Sequence, residues 1–296
     1  MKESAHTNEL SPGRKSALWR VSALTAAILV IAFFCVWQSG NRFSDEVANA
    51  GGRYYRAPNA TPGGLMQSLQ RTIMRVLGNG PPRFDVVEFR PGDVSDEWLQ
   101  RHQRELSQLS NLTLVLQNSQ ISDEGMTVLA SLENLISLDL SGTQVSGRSL
   151  HQISRLPHLC SLNVPDTQLS PSALQSLVEM PELYALGLDA AQITPESLEH
   201  MAQMPKLASL TVYGATDQTL SLFEDPHQFQ SISLHDSKVS EESIPSLKAI
   251  PGITLLSFSD GELTDGQLRK FKAALPGCYV QHVTAREIQE MRDSGL

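Results

Sequence analysis

Apolar residues recur along most of this chain at a fixed interval of about 24 residues. Each repeat carries three of these positions, with the second three residues after the first and the third two residues later. The three rows are Leu135, Leu159, Leu183 and Leu207; then Leu138, Leu162, Leu186 and Leu210; and then Leu140, Val164, Leu188 and Val212. A fixed period of this size is typical of a solenoid, in which each unit stacks on the next.

Each repeat reads as one short strand followed by one short helix. Leu150, Ile153 and Leu156 show the helical part, because their spacing places them on one stripe of a helix. A hydroxyl residue stands where each helix is expected to begin, and it can cap the free N–H groups of the first turn. These predicted caps are Ser95, Ser122, Ser146, Ser170, Thr194, Ser240 and Thr264, and the acidic residues Asp96, Asp123, Glu241 and Asp265 follow four of them, where they favour the helix dipole.

The pattern predicts parallel strands near 86–90, 113–117, 137–141, 161–165, 185–189, 209–213, 231–235 and 255–259, with a terminal strand near 278–281. Two departures break the period. Val94 and Ile121 are 27 residues apart, which requires a longer helix or loop in the first repeat. Between Tyr213 and Gln230 the capped-helix pattern is lost and the next strand arrives after 22 residues, so we expect a loop or a single helical turn. This irregularity is either a functional landmark or a neutral variation in a surface loop.

The segment Leu138-Asp-Leu140-Ser-Gly-Thr143-Gln-Val145-Ser146-Gly-Arg-Ser-Leu150 resembles the leucine-rich-repeat family, and within it the short bacterial repeats related to the cysteine-containing subclass. The resemblance covers about residues 84–280. It implies an α/β solenoid with a curved parallel sheet on the concave side and short helices on the convex side. The family is known mainly as a scaffold that binds proteins, so the resemblance implies a binding role without naming a partner.

An apolar segment near the N-terminus predicts a transmembrane helix over 17–37. Only Arg20 interrupts this segment, which has about the length needed to span a bilayer. A cleaved signal peptide is the alternative, but the nearest A-x-A-like site, Ala48-Asn49-Ala50, lies far beyond the usual cutting distance. Basic residues are concentrated before the segment, which predicts a cytoplasmic tail at 1–16 and an extracytoplasmic repeat domain.

The remaining boundaries follow from composition and periodicity. Residues 38–64 are rich in glycine and proline and are expected to be a flexible tether. Over 65–83 we expect an N-terminal capping helix, because Leu65, Met66, Leu69, Ile73, Val76 and Leu77 form an apolar stripe. An amphipathic membrane helix is the alternative for this stripe. The repeat domain then spans 84–283, and a C-terminal capping helix is expected over 284–296.

Composition and charge narrow the functions that this chain can have. The net charge is −9, and after the first 20 residues the chain carries 19 basic and 30 acidic side chains. Such an acidic domain argues against nucleic acid as a partner. Cys160 and Cys278 are five predicted strands apart, so we expect no disulfide between them. The sequence has no metal-ligand spacing, no phosphate-binding glycine loop and no G-x-S-x-G motif, so we expect no cofactor, no small-molecule substrate and no catalysis.

Residues that alternate with the strand leucines are expected to face the concave side, and most of them are small and polar. A simple reading is that they let the strands stack without clashes. The distinctive members are Asn163, Asp189, Thr211, Tyr213 and His235, which lie on nearby strands and which we call the concave patch. Tyrosine is favoured at binding hot spots, so the patch is the predicted partner-binding site.

The sequence therefore predicts a membrane-anchored, non-catalytic module for protein–protein interaction. One alternative is a structural or self-associating protein of the cell envelope. A serine hydrolase is the weaker alternative, with Asp189, His235 and either Ser209 or Ser233 as its catalytic group.

Overall fold

The computed structural model of the protein describes residues 43–58, 83–223, 229–259 and 263–283. The chain divides into two compact units, Met1–Glu46 and Val47–Leu296, and the repeats belong to the second. The predicted anchor at 17–37, the predicted capping helix up to residue 82 and the predicted C-terminal helix at 284–296 lie outside the described residues. No helix within the described ranges is long and apolar enough to cross a membrane.

One sheet runs through the repeats, and its strands follow one another in chain order. All neighbouring strands from β2 to β10 are parallel, whereas β1 is antiparallel to β2. The strands of the described residues are β1 (Gly52–Pro58), β2 (Arg83–Phe89), β3 (Leu112–Val115), β4 (Leu135–Asp139), β5 (Ser161–Asn163), β6 (Ala185–Asp189), β7 (Ser209–Tyr213), β8 (Ser231–His235), β9 (Leu255–Ser259) and β10 (Tyr279–Val283).

Strand β1 corrects the expectation of a flexible tether for residues 52–58. Gly52 pairs with Phe89 and Pro58 pairs with Arg83, so the two strands are in register along their whole length. The glycines and prolines near this segment suggested a tether, but Tyr54 and Tyr55 between them favour a strand. Pairing with β1 satisfies backbone groups of β2 that would otherwise form a bare sheet edge.

Helical segments connect the consecutive parallel strands. The α-helices are α1 (Asp96–Ser107), α2 (Gly125–Leu129), α3 (Leu150–Ile153), α4 (Pro195–Gln203), α5 (Asp217–Ser221), α6 (Ile244–Ala249) and α7 (Asp265–Ala274). Pro171–Leu177, Ala190–Gln192 and Glu241–Ser243 are 3₁₀ segments. In the 27-residue first repeat the extra length is a helix, since α1 has 12 residues.

The leucine rows form the core between the sheet and these helices. Leu138, Leu162 and Leu186 are each 1 % exposed, and Leu210 is fully buried. The sheet therefore buries one face, and its opposite face is the one predicted to be concave, so we keep the name concave face for it. The fold is an α/β repeat solenoid.

The irregular repeat after Tyr213 contains a short helix of little more than one turn, which is one of the two outcomes expected, but this helix keeps a cap that the pattern did not predict. Thr216 accepts a hydrogen bond from the backbone N–H of Thr219 at 3.3 Å and begins α5, which is five residues long. In the neighbouring repeats an apolar residue, such as Ile193 or Val239, directly precedes the cap. The sequence pattern missed Thr216 because this cap arrives two residues early, directly after Ala215.

Three acidic side chains at the starts of helices connect one repeat to the next. The Asp123 carboxylate accepts from the backbone N–H and the hydroxyl of Ser146 at 2.8 and 2.6 Å and from the hydroxyl of Ser149 at 2.6 Å. Asp217 accepts in the same way from Ser240 and Ser243, and Asp96 accepts from Ser122. We expected Asp96 and Asp123 to act on the helix dipole, and the structure adds that these two residues and Asp217 hold the cap of the following repeat.

These carboxylates predict a loss of stability in acid. Burial by itself raises the pKa of Asp123 and of Asp217, but the serine hydrogen bonds outweigh it, so each pKa lies below its ordinary value. A carboxyl group with a lowered folded-state pKa contributes stability above its unfolded pKa of about 4, and this stability is lost as the pH falls through the folded pKa. We expect the free energy of urea unfolding to fall more steeply between pH 6 and pH 2.5 for the wild type than for Asp123→Asn/Asp217→Asn. Parallel dependence of the two free energies on pH would contradict the prediction.

Candidate functional site

The five predicted residues of the concave patch lie on four successive strands, β5 to β8. Asp189, Tyr213 and His235 are register partners at the ends of β6, β7 and β8. Thr211 lies two residues before Tyr213 on β7. Asn163 on β5 is in register with Gly187 on β6, which is in turn in register with Thr211. All five side chains are partly exposed, which leaves them accessible to a partner.

Gly187 explains how Asn163 reaches Tyr213 across an intervening strand. It lies between Asn163 on β5 and Thr211 on β7, in register with both. A Cβ atom at residue 187 would lie 1.7 Å from Oδ1 of Asn163, so the asparagine side chain occupies the space that a side chain would need. Across this gap Nδ2 of Asn163 donates to the Tyr213 hydroxyl oxygen at 3.3 Å.

Asn163 is also held from the preceding repeat. Its Nδ2 lies 2.9 Å from Oγ of Ser141 and 3.3 Å from Oδ2 of Asp139. The other carboxylate oxygen of Asp139 accepts from the backbone N–H of Ser141 at 2.9 Å. The side chains of Asp139, Ser141 and Asn163 therefore fix the position of the Tyr213 hydroxyl.

The Tyr213 and His235 rings are stacked, with their centroids 4.9 Å apart and their planes inclined by 24°. On the far side, Nδ1 of His235 lies 2.8 Å from Oγ of Ser259 on β9. A contact at each end thus orients the aromatic pair. Rings ordered before binding lose less conformational entropy when a partner packs on them.

Asp189 has a structural role beside any functional one. In the turns after the strands, Asn118, Gly142, Asp166, Gly214 and Asp236 all have positive φ, which these three residue types tolerate. The N–H of Gly214 donates to the carbonyl oxygen of His235 in the next repeat, and that of Asp236 donates to Ser259. At Asp166 the acceptor is the Asp189 carboxylate instead, at 2.6 Å. A 3₁₀ segment begins directly after Asp189, at Ala190. The Asp189 carboxylate therefore takes the place of the backbone carbonyl oxygen that accepts this bond at Gly214 and Asp236.

The patch has a negative electrostatic character. Burial raises the pKa of the Tyr213 hydroxyl, and the hydrogen bond from Asn163 lowers it, while the carboxylates of Asp139, Asp189 and Asp236 raise it further. Burial also raises the pKa of Asp189, with the Asp166 amide opposing the rise and the Asp166 carboxylate adding to it. Strands β4 to β9 carry no lysine or arginine. A lysine or arginine side chain of a partner could therefore stack on the rings without competing with a basic side chain of these strands.

The geometry does not assemble the serine hydrolase that the sequence offered as an alternative. The hydroxyls of Ser209 and Ser233 are buried and have no hydrogen-bond partner, so neither is joined to His235. The imidazole of His235 contacts the hydroxyl of Ser259 instead, and Ser259 is buried, with 4 % of its surface exposed. In the described part of the chain no group of three or more His, Cys, Asp or Glu residues could hold a metal ion.

Sequence reasoning placed four further residues on the concave side but did not include them in the patch that they shape: Asp139, Ser141, Gly187 and Ser259. Gly187 carried a usable signal, because it is the glycine of a row that otherwise holds Asp139, Asn163 and Thr211. Ser259 could have been found as the residue 24 positions after His235. The bonds of Asp139 and Ser141 to Asn163 depend on side-chain rotamers, which the repeat pattern does not report.

The chain is similar to two internalins of Listeria monocytogenes. The crystal structure of internalin C2 is 18 % identical over 61 % of this chain and 84 % of its own, with a TM-score of 0.33. That of internalin F is 16 % identical over 73 % of this chain and 69 % of its own, with a TM-score of 0.35. No protein-family model matches the chain, and no curated protein matches it. Likeness at this level identifies no partner for this protein.

Proposed function

We propose that this protein is a membrane-anchored, non-catalytic module that binds a protein partner through the concave patch. The observation that carries the proposal is the stacked pair of Tyr213 and His235, held by Asn163 on one side and by Ser259 on the other. Aromatic residues dominate the binding energy of many protein interfaces, above all when they are fixed in place. The leucine-rich-repeat scaffold supports the same role, since it displays one row of side chains from each strand.

The charge around the pair favours a partner that presents lysine or arginine. Four carboxylates, those of Asp139, Asp166, Asp189 and Asp236, lie on or beside the patch, and Asp166 and Asp236 are exposed. Complementary charge across an interface raises the association rate and excludes partners of like charge. The association should therefore weaken as salt is added, because salt screens exposed charges.

The anchor in this proposal is the apolar segment 17–37, and the repeats lie on the extracytoplasmic side. The flanking charges Arg14, Lys15 and Arg20 support that orientation. A partner of the patch would accordingly be an extracytoplasmic protein or the exposed part of a membrane protein.

Proximity labelling from the intact full chain tests the proposal. We compare the parent with Tyr213→Ala/His235→Ala and with a matched control, Tyr279→Ala/His151→Ala, which removes an exposed tyrosine and an exposed histidine elsewhere. The parent and the control should recover one extracytoplasmic protein, and the patch variant should recover about tenfold less or lower. Equal recovery by all three chains would contradict the patch, and recovery of cytoplasmic proteins would contradict the orientation.

Self-association is the second candidate, and a specific observation favours it. The two exposed large hydrophobic residues of the described chain are Tyr55, at 47 %, and Tyr279, at 67 %. They lie on β1 and β10, which are the two edges of the sheet. In the same experiment, recovery of a tagged second copy that the Tyr279 control abolishes would favour this candidate over the patch.

A further inference from the structure

Strand β10 forms an open edge of the sheet. In the described part of the chain it pairs with β9, and no strand follows it. The N–H of Tyr279 donates to the carbonyl oxygen of Thr254 at 2.8 Å, so the backbone groups of Tyr279 point toward β9. Every second residue of such a ladder points the same way, which directs Gln281 toward β9 as well. The N–H and C=O groups of Val280 and His282 therefore point outward, where a further strand can pair with them.

The two edges of the sheet differ in how they resist such pairing. Proteins protect edge strands with charged residues and proline. Strand β1 carries Arg53, Arg56 and Pro58, so a second β1 beside it would bring arginine side chains together. Strand β10 reads YVQHV and contains no Lys, Arg, Asp, Glu or Pro. Its Tyr279 is 67 % exposed, more than any other large hydrophobic residue of the described chain.

The outward groups of β10 fit those of a second β10 in the antiparallel direction. Residues that exchange hydrogen bonds in an antiparallel pair lie directly opposite each other. Val280 of one copy then lies opposite His282 of the other, and the two Gln281 residues meet on a two-fold axis. Tyr279 lies opposite Val283 of the second copy, on both sides of the axis. Pairs of an aromatic and a β-branched residue stabilise neighbouring strands.

This pairing places its side-chain contacts on the concave face. Gln281 is in register with Ser257, and its Nε2 lies 3.2 Å from Oγ of Ser257, so Tyr279, Gln281 and Val283 share that face. We propose that two copies of this protein pair through β10 and join their sheets into one. The assembly closes at two copies, because each copy contributes this edge once and a two-fold axis relates them. The inference deepens self-association, the second candidate function, and rests on it.

Cysteine cross-linking of the full-length chain tests the register. We use Gln281→Cys with Cys35→Ser and Cys278→Ser in the background, which leaves the buried Cys160. Across the axis the two Cα atoms at residue 281 are about 4.5 Å apart, within the reach of a disulfide. Mild oxidation should therefore give a disulfide dimer.

The matched control is Ser257→Cys in the same background. Ser257 lies on the same face, one strand further from the axis, so its two copies are three strand spacings or about 14 Å apart. Its dimer yield should be about tenfold lower or less. A yield from Gln281→Cys as low as that from Ser257→Cys overturns the proposal.

A charge exchange across the axis provides a second measurement. Tyr279→Lys/Val283→Lys puts like charges opposite each other and should reduce recovery of a tagged second copy about tenfold, since such pairs are destabilising. Tyr279→Lys/Val283→Glu puts opposite charges there and should restore the recovery. Loss in both variants, or in neither, overturns the antiparallel pairing.

The outcomes separate this proposal from the two candidate functions. Tyr213→Ala/His235→Ala should leave the cross-link of Gln281→Cys unchanged, because the concave patch lies outside β10. If Tyr55→Cys forms the dimer in place of Gln281→Cys, self-association stands through β1 and the proposal is wrong. If no second copy is recovered from the parent, self-association and this proposal fail together, and the partner-binding function of the patch is unaffected.

Discussion

Replacing Leu186 with alanine is expected to lower the free energy of unfolding by about 3 kcal/mol, within the range seen for buried leucines. Leu186 is 1 % exposed and lies in the middle of the leucine row, with Leu162 on one side and Leu210 on the other. Its loss leaves a cavity that borders two repeats. In a solenoid the stability of each unit depends on its contacts with both neighbours, so the defect weakens two interfaces at once.

Urea unfolding followed by circular dichroism measures this effect. Leu255→Ala is the matched control, because Leu255 starts β9 and is only partly buried. It should cost less than half as much, since less apolar surface returns to water. Equal losses for the two variants would contradict a core built on the leucine rows.

Replacing Gly187 with alanine is expected to disrupt the concave patch while leaving the core intact. The new Cβ would take the place of Oδ1 of Asn163, and it would meet the end of a flexible side chain rather than the backbone. Asn163 must therefore turn away, and Tyr213 loses the hydrogen bond that holds its hydroxyl. Partner recovery should fall about tenfold, as for the loss of a hot-spot contact.

Two measurements check this prediction. The ring resonance of Tyr213 in the NMR spectrum, assigned with Tyr213→Phe, should move in Gly187→Ala, and Asn163→Ala should move it in the same direction. Gly266→Ala is the control, since a Cβ there meets nothing closer than 3.9 Å and alanine favours the helix α7. An unmoved Tyr213 resonance in Gly187→Ala would show that Asn163 does not position the ring.

The sequence predicted the strands of this solenoid closely, because the leucine period reports burial directly. All nine predicted strands are present, and β6 to β9 have the predicted bounds. The helix caps were predicted in part: Thr194, Ser240 and Thr264 accept the expected bonds. The hydroxyl of Ser122 accepts from the backbone N–H of Glu124, and it also donates to Asp96 of the preceding repeat. A cap that serves two repeats cannot be distinguished from one that serves its own helix by residue type.

What the pattern did not predict is the pairing of side chains across strands. Strand β1 was missed because it lies outside the repeat period and its glycines suggested a tether. In the patch, the row of Asp189, Tyr213 and His235 was predicted from the register, but the bond from Asn163 was not, because it depends on the empty space above Gly187. Such contacts follow from the absence of a side chain, which a search for distinctive residues overlooks.

The bond between Asn163 and Tyr213 has a consequence for how this chain could gain or lose repeats. The Asp123 and Asp217 contacts reach one repeat ahead, so a unit that carries them can be duplicated together with its own connection. Asn163 and Tyr213 are 50 residues apart and span the repeat of Gly187 between them. A duplication or deletion within β5 to β7 would separate them, so a chain that changes its number of repeats there is expected to lose this bond.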